Sequence, residues 1–233
     1  MIELNKIYNV DCLIGMKEIP DKSVDMILCD LPYGTTACRD IIIPFEPLWE
    51  QYNRVIKDNG AIALFGSEPF SSMLRMSNLK SYRYDWIWNK KKAGNIFLAK
   101  YQPMKTHEII SVFSKGAHKY YPIRTPRDVV KKSKNYGTGE SMGGNKEKED
   151  KLYIYTDKNP VSIIEISNAN QKGKVHPTQK PVPLFEYLIK TYTNEGETVL
   201  DNCMGSGTTA IACINTNRNF IGFELDTGYF NLA

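Results

Sequence analysis

A chain of 233 residues, 42% hydrophobic and 24% charged, is long enough for a sizeable core and too balanced for a disordered or fibrous protein. No apolar run approaches a bilayer span, and the start, MIELNKIYNVD, lacks the apolar core of an export signal, so neither membrane nor leader is expected. Five cysteines (Cys12, Cys29, Cys38, Cys203, Cys213), odd in number and without a CxxC pair, and three dispersed histidines argue for reduced thiols in a cytoplasm and against a metal centre.

In chain order, KIYNV reads as a short strand, CLIGMKEI as a helix and VDMILC (24–29) as a buried strand. EPLWEQYNRVIKD follows with Leu48, Trp49, Tyr52, Val55 and Ile56 at helical spacing, and Asn59–Gly60 is expected to stop that helix. AIALFG is the next strand and EPFSSMLRMSN the next helix. RYDWIWNK and HEIISVFS read as further strands. The polar, Gly-rich stretch 131–150 has too few aliphatic residues to offset its ordering entropy and is expected to be a mobile loop. VSIIEI, a proline-bounded helix within VHPTQKPVPLFEYLIKTYTNEGE, strand TVLDN, loop CMGSG, helix TTAIACINTN and strand NFIGFEL complete the chain, with no internal repeat. Strands alternating with helices predict an α/β fold with a mainly parallel sheet covered on both faces.

The net charge of +4 conceals an asymmetry: residues 80–134 hold 14 Lys/Arg against three Asp/Glu, a local +11 that leaves −7 for the rest. Tyr82, Tyr84, Trp86, Trp88, Phe97, Tyr101, Phe113, Tyr120 and Tyr121 are interleaved with that charge. Cations for phosphates and rings for bases suit a nucleic-acid face, while a solvated basic surface explains the charge equally well.

Two short stretches carry chemistry. In TVLDNCMGSGTT an apolar strand ends in Asp201, and a turn with Gly205 and Gly207 opens a helix whose first hydroxyls are Thr208 and Thr209. Glycines allow close backbone approach and the helix start offers free N–H groups. Glu224 follows 17 residues after Gly207, near the spacing at which an acid reaches ribose hydroxyls. GSGTT lacks the lysine of a phosphate loop and the third glycine of a dinucleotide turn. A nucleoside with a cationic tail fits best, and a plain strand–helix turn remains the competing reading. The second stretch, DLPYG (30–34), ends strand VDMILC with a carboxylate, a stiff backbone and a flat ring; a Pro-Gly turn with a satisfied Asp is its bland reading.

With VDMILCDLPYG, YDWIWNKKKAGN, KTHEIISVFSKG, HPTQKPVPLFEYLI and LDNCMGSGTTAIA…FIGFELD in this order, the sequence resembles the beta-class amino-group DNA methyltransferases over nearly its whole length. These transfer methyl from S-adenosylmethionine to adenine N6 or cytosine N4. The resemblance implies a doubly wound, mostly parallel seven-stranded sheet of Rossmann-like methyltransferase type, with the strands before Asp201 and Asp30 side by side. It implies a catalytic half (1–90), a basic target-recognition insert (91–175) and a cofactor half (176–233). Asp30 and the carbonyl of Leu31 would accept the amine N–H groups of a flipped base, Pro32 would stiffen the turn and Tyr33 would stack on the base. Asp201, Gly205, Ser206, Gly207 and Thr208 would hold the methionine part of the cofactor, Cys203 would belong to the wall of its adenine ring, Glu224 would take its ribose, Asp11 its adenine and Lys180 its carboxylate. Leu31, where the family usually has proline, and DNC, where a proline and an aromatic often follow the acid, depart from the pattern. Asp rather than Ser at the first motif position favours adenine over cytosine. RNA, protein glutamine, or binding without catalysis are the other readings; the long basic insert and the intact motifs argue against them. Double-stranded DNA is the implied partner; the family also admits a homodimer and a cognate restriction enzyme. The chain stops barely into the helix expected after Glu224, so a clipped C-terminus is also an expectation.

Overall fold

A computed structural model describes residues 2–34, 41–134, 152–168 and 179–233. Val24–Cys29 forms β2, buried at every one of its six positions, as a strand flanked by neighbours and covered on both faces must be. Its neighbours are β3 (Ile56–Gly66) on one side and β9 (Thr198–Asp201) on the other, both parallel to it. Beyond β9 lie β10 (Asn219–Phe223) and β1 (Lys6–Tyr8), also parallel. Beyond β3 the direction reverses: β5 (His107–Phe113) pairs antiparallel with both β3 and β4 (Tyr82–Asn89), and β8 (Ile163–Glu165) pairs parallel with β4. The sheet thus has eight strands in the order β1-β10-β9-β2-β3-β5-β4-β8, one more than the seven expected; the addition is the three-residue β8 at the edge.

Helix α2 (Phe45–Val55) stops before Asn59–Gly60, and β3 begins at once with Ile56 against Val24. The ladder then slips, so that Met26 faces Ala61 and residues 57–60 form a bulge. That bulge carries Lys57 to the buried Asp25, whose carboxylate also accepts from Lys119 Nζ at 3.0 Å and the Thr198 N–H at 3.1 Å. Lys119 bridges on to Glu197, tying β2, β9 and the segment after β5 together near the start of β2.

Around the sheet, α1 (Cys12–Gly15), α2 and α3 (Phe70–Ser77) pack in sequence, while α4 (Val182–Tyr192) packs on α5 (Thr208–Asn215) and against β2. A short α6 (Thr227–Leu232) follows β10. Residues 1–121 and 162–233 form one compact unit and residues 122–161 a second. The second unit is an antiparallel ribbon of β6 (Thr125–Lys134) and β7 (Leu152–Lys158), in which the rings of Tyr153 and Tyr155 stack. Residues 131–134 therefore belong to a strand rather than to the expected loop, whose remainder, 135–150, lies outside the described residues.

The basic segment divides in two. Trp86, Trp88 and Phe113 are core residues, not stacking surfaces, while Phe97 and Tyr101 stand in solvent. Trp86 donates to the Tyr192 hydroxyl and Trp88 to the Ile166 carbonyl, which satisfies both indoles inside the core. Among the described residues no helix is long and apolar enough to cross a membrane.

Candidate active site

Strand order reverses between β9 and β2, because the chain steps outward from β9 to β10 in one direction and from β2 to β3 in the other. Ligands of open α/β sheets bind at such a switch point, beyond the C-terminal strand ends. Asp30 leaves the end of β2 there and Asp201 is the last residue of β9; Ile27 pairs with Leu200, which sets the two acids side by side.

Both Asp30 oxygens are engaged. The Tyr33 hydroxyl donates to Oδ1 at 2.6 Å, and the Lys180 ammonium donates to Oδ2. Burial, reinforced by the Asp30 carboxylate, pushes the Tyr33 phenol well above its ordinary value, so it stays a donor. The Tyr33 ring stacks on Phe70 with centroids 5.1 Å apart. Lys180 is 8% exposed, and its ammonium lies 5.9 Å from the centroid of the Tyr33 ring and 5.4 Å from that of Phe65. Leu31 is buried and Pro32 half-buried.

A third charge layer, not signalled by any motif, lies behind. Glu108, on β5, has Lys90 Nζ 3.1 Å from Oε1 and Lys180 Nζ 3.4 Å from Oε2. Glu108 Oε2 has no donor in hydrogen-bond geometry among the described residues. Burial alone would raise the Glu108 carboxyl, but Lys180 and Lys90 outweigh it and hold it below its ordinary value. Burial likewise acts to lower Lys180, and the Asp30 and Glu108 carboxylates reverse that and raise it. Lys90, Glu108, Lys180 and Asp30 thus form one alternating chain of charges. Lys180, the residue expected to meet the cofactor carboxylate, donates here to Asp30; His176, of the same HPTQKP stretch, lies outside the described residues.

On the β9 side, Asp201 is buried with both oxygens turned to its own loop, accepting the Cys203 N–H at 3.0 Å and the Thr209 hydroxyl. Burial pushes its carboxyl up to about 6. Asp201 therefore shapes the turn through both of its oxygens. Gly205 and Gly207 sit at φ 56° and 84°, left-handed conformations that side chains resist, and Gly207 opens α5 at Thr208. Ser206 is half-buried and Thr208 buried in that first turn. Glu224 clamps the loop to the next strand end, Oε2 accepting the Gly205 N–H at 2.7 Å and Oε1 the Asp226 N–H at 2.9 Å. Asp11, at the end of β1, caps α1 through the Leu13 N–H at 2.8 Å.

The DNC departure has a local explanation. Asn202 is buried, accepts from the Tyr52 hydroxyl, and donates to the thiols of Cys12 and Cys203 at 3.6 Å each. It knots α2, α1 and the glycine loop together. Burial pushes the neighbouring Cys29 thiol up to about 12, so that sulfur remains a protonated packing group.

A family model described as DNA methylase, covering the N6 and N4 types, matches residues 24–233. The chain belongs to the N6/N4 DNA methylase family. Among relatives, it is 30% identical to the type II methyltransferase M.HpaI of Haemophilus parainfluenzae, over 94% of this chain and 69% of that protein. It is 27% identical to the type II methyltransferase M1.MboII of Moraxella bovis, over all of this chain and 96% of that one. The solved complex of M1.HpyAVI with SAM superposes with a TM-score of 0.65 at 25% identity, covering 98% of this chain and 97% of that one. The cytosine-N4-specific PvuII DNA methyltransferase has a TM-score of 0.72 at 15% identity, covering all of this chain and 86% of that one, and shares the fold. This member of the N6/N4 family is accordingly a DNA amino-group methyltransferase, with the catalytic motif ahead of the glycine loop.

Proposed function

We propose that this methyltransferase acts on adenine N6 in double-stranded DNA, with the base turned out of the duplex into the crevice between β2 and β9. The observation that carries the reading is the Asp30 carboxylate, half-buried at the switch point between an aromatic hydroxyl and a buried ammonium. Asp at this motif position, where cytosine-N4 relatives more often have Ser, favours adenine.

S-adenosylmethionine, the family's cofactor, supplies an electrophilic methyl on a sulfonium when bound. The residues present fit it. Left-handed Gly205, with nothing within 4 Å of where a Cβ would stand, gives backbone access, while buried Gly207 shapes the turn against Ala233; GSGTT has no phosphate-binding lysine, and the Glu224 oxygens each keep a lone pair for ribose hydroxyls while holding backbone N–H groups. Gly205, Ser206, Gly207 and Thr208 would hold the methionine part and Asp11 the adenine, with Asp201 and Cys203 fixing the loop.

An adenine amine is a poor nucleophile because its lone pair is delocalised into the ring. Asp30 Oδ and the Leu31 carbonyl accept its two N–H groups and draw the nitrogen toward tetrahedral geometry. Acceptors fixed in advance where positive charge develops are worth far more than mobile water. Tyr33, buried here with its ring on Phe70, would have to turn a face to the base; such a stack is worth about 1–3 kcal/mol and offsets part of the cost of leaving the duplex. Lys180 must release Asp30 Oδ2 as the amine arrives, and the open lone pair of Glu108 Oε2, 3.4 Å away, is where it turns. Asp30 takes the proton that nitrogen sheds. The β6–β7 ribbon has the dimensions that a major groove admits, with Lys131, Lys132, Tyr153 and Tyr155 exposed, and suits the reading of sequence.

The test is transfer of labelled methyl to unmethylated bacterial DNA, followed by digestion to nucleosides and mass spectrometry. Label in N6-methyladenine supports the reading, label in N4-methylcytosine keeps the mechanism and reverses the choice of base, and absence of label from DNA refutes it.

A further inference from the structure

The loop between β4 and β5, residues 90–106, carries a hydrophobic tip that no other described residue covers. Phe97 is 94% exposed, Ile96 71% and Tyr101 85%. The tip is built rather than loose: left-handed Asn95 starts a short 3-10 turn over Ile96–Leu98, and the Leu98, Tyr101 and Gln102 N–H groups close it at 2.9, 2.9 and 3.0 Å. Its base is fixed by Lys90 N–H to Thr106 and Gly94 N–H to Lys105, each at 2.8 Å, and by the Lys105 ammonium on Ser67 Oγ after β3. Lys90 continues through Glu108 and Lys180 to Asp30, so the loop rises from the rim of the active site. The segment contains five lysines and no acid; Lys90 is held by Glu108, Lys91 by Glu165 and Lys105 by Ser67, which leaves Lys92 and Lys100 exposed beside the tip. A partner with an apolar interior and an anionic surface suits that combination, and duplex DNA is such a partner. The core of a protein–protein interface is depleted in lysine, which disfavours a second copy.

We propose that Phe97 is a wedge that enters the DNA stack beside the target and holds the space left by the displaced base, while the exposed Lys92 and Lys100 grip the phosphates. This rests on the base-flipping reading above and adds a residue for the step. Apolar side chains inserted between base steps serve this purpose in proteins that distort DNA. Stacking on the exposed faces of neighbouring bases substitutes for the lost base–base contact and keeps the target from returning.

The experiment uses Phe97→Ala and Phe97→Trp with duplexes carrying the sequence that the native protein methylates. One duplex has the target base paired, and the other has it opposite an abasic position, where nothing must be unpaired. Phe97→Ala is expected to lose about ten- to a hundredfold in methyl transfer on the paired duplex, the usual worth of one aromatic stack. It should approach native rates on the unpaired duplex, and Phe97→Trp should keep most activity on both. Because the side chain touches almost nothing, the fold and cofactor binding should not change. Equal rates for Phe97→Ala and native protein on the paired duplex overturn the proposal. So does an equal loss on both duplexes, which marks an ordinary DNA contact, or a dimer that becomes a monomer, which marks self-association. If the native protein methylates no DNA, no such sequence exists and the methyltransferase reading falls together with this proposal; in every other outcome native transfer on the paired duplex shows that reading intact.

Discussion

Replacing Lys180 by methionine keeps an unbranched side chain of similar volume and removes the ammonium at the hub of the Lys90–Glu108–Lys180–Asp30 chain. Removing one partner of a buried ion pair costs about 3–5 kcal/mol, because the other charge stays buried. Each carboxylate here keeps one donor, Tyr33 on Asp30 at 2.6 Å and Lys90 on Glu108 at 3.1 Å, and Asp30 is 29% exposed. The lower end, about 3 kcal/mol, is therefore expected, a fall in Tm of about 6–12 °C for a chain of this size. The pH dependence follows from the two shifts. Glu108 is held below its ordinary 4.5, so its contribution is complete above that value and fades as pH falls through the depressed one. Lys180 is raised above its ordinary 10.5, so its contribution is complete below that value and fades as pH rises through the raised one. The Lys180→Met penalty is a plateau between these limits and shrinks in acid, where a protonated Glu108 needs no cation. Thermal melts of both proteins at neutral and acidic pH measure this, and adding Glu108→Gln to Lys180→Met should recover part of the loss. A variant as stable as the native protein at neutral pH, or a penalty that grows in acid, would refute the buried-chain argument.

Three further outcomes are expected. Glu224→Ala frees the Gly205 and Asp226 N–H groups and should weaken binding of S-adenosylhomocysteine at least about tenfold by calorimetry, while costing only about 1–3 kcal/mol in a denaturant titration. Gly207→Val forces a β-branched residue to φ 84° and should abolish cofactor binding with about 1–3 kcal/mol of lost stability; Gly116→Ala, with nothing within 4 Å of its new Cβ, should match the native protein. Asp25→Asn removes the charge partner of Lys57, which is 39% exposed, and of Lys119, which keeps Glu197, and should cost about 1–3 kcal/mol. Its methyl transfer per folded molecule should remain native, because Asp25 lies near the start of β2, away from the crevice.

The β2 strand and its DLPYG exit, and β9 with its glycine loop, are legible in the sequence because each is contiguous: an apolar run, a chemical signature and a turn. The slip in β3 is not, since residues 56–58 continue the helical stretch up to Asn59–Gly60 and only pairing of Ile56 with Val24 moves them into the sheet. The aromatics near Trp86 follow strand alternation, so Tyr84, Trp86 and Trp88 share a face; that the face turns inward depends on Tyr192 of α4, more than a hundred residues away. Glu108 is a lone acid in an apolar strand, and its meaning exists only once Lys90 and Lys180 converge on it. Lys180 itself is visible as a motif residue, but its partner is set by tertiary packing and proves to be Asp30.

The central claim, that Asp30 at the end of β2 activates the target amine, is tested most directly by Asp30→Ala in the methyl-transfer assay, with cofactor binding and thermal stability measured on the same sample. The account predicts that labelled methyl in N6-methyladenine disappears while S-adenosylmethionine still binds and the protein remains folded. Transfer at a rate comparable to the native protein would contradict it.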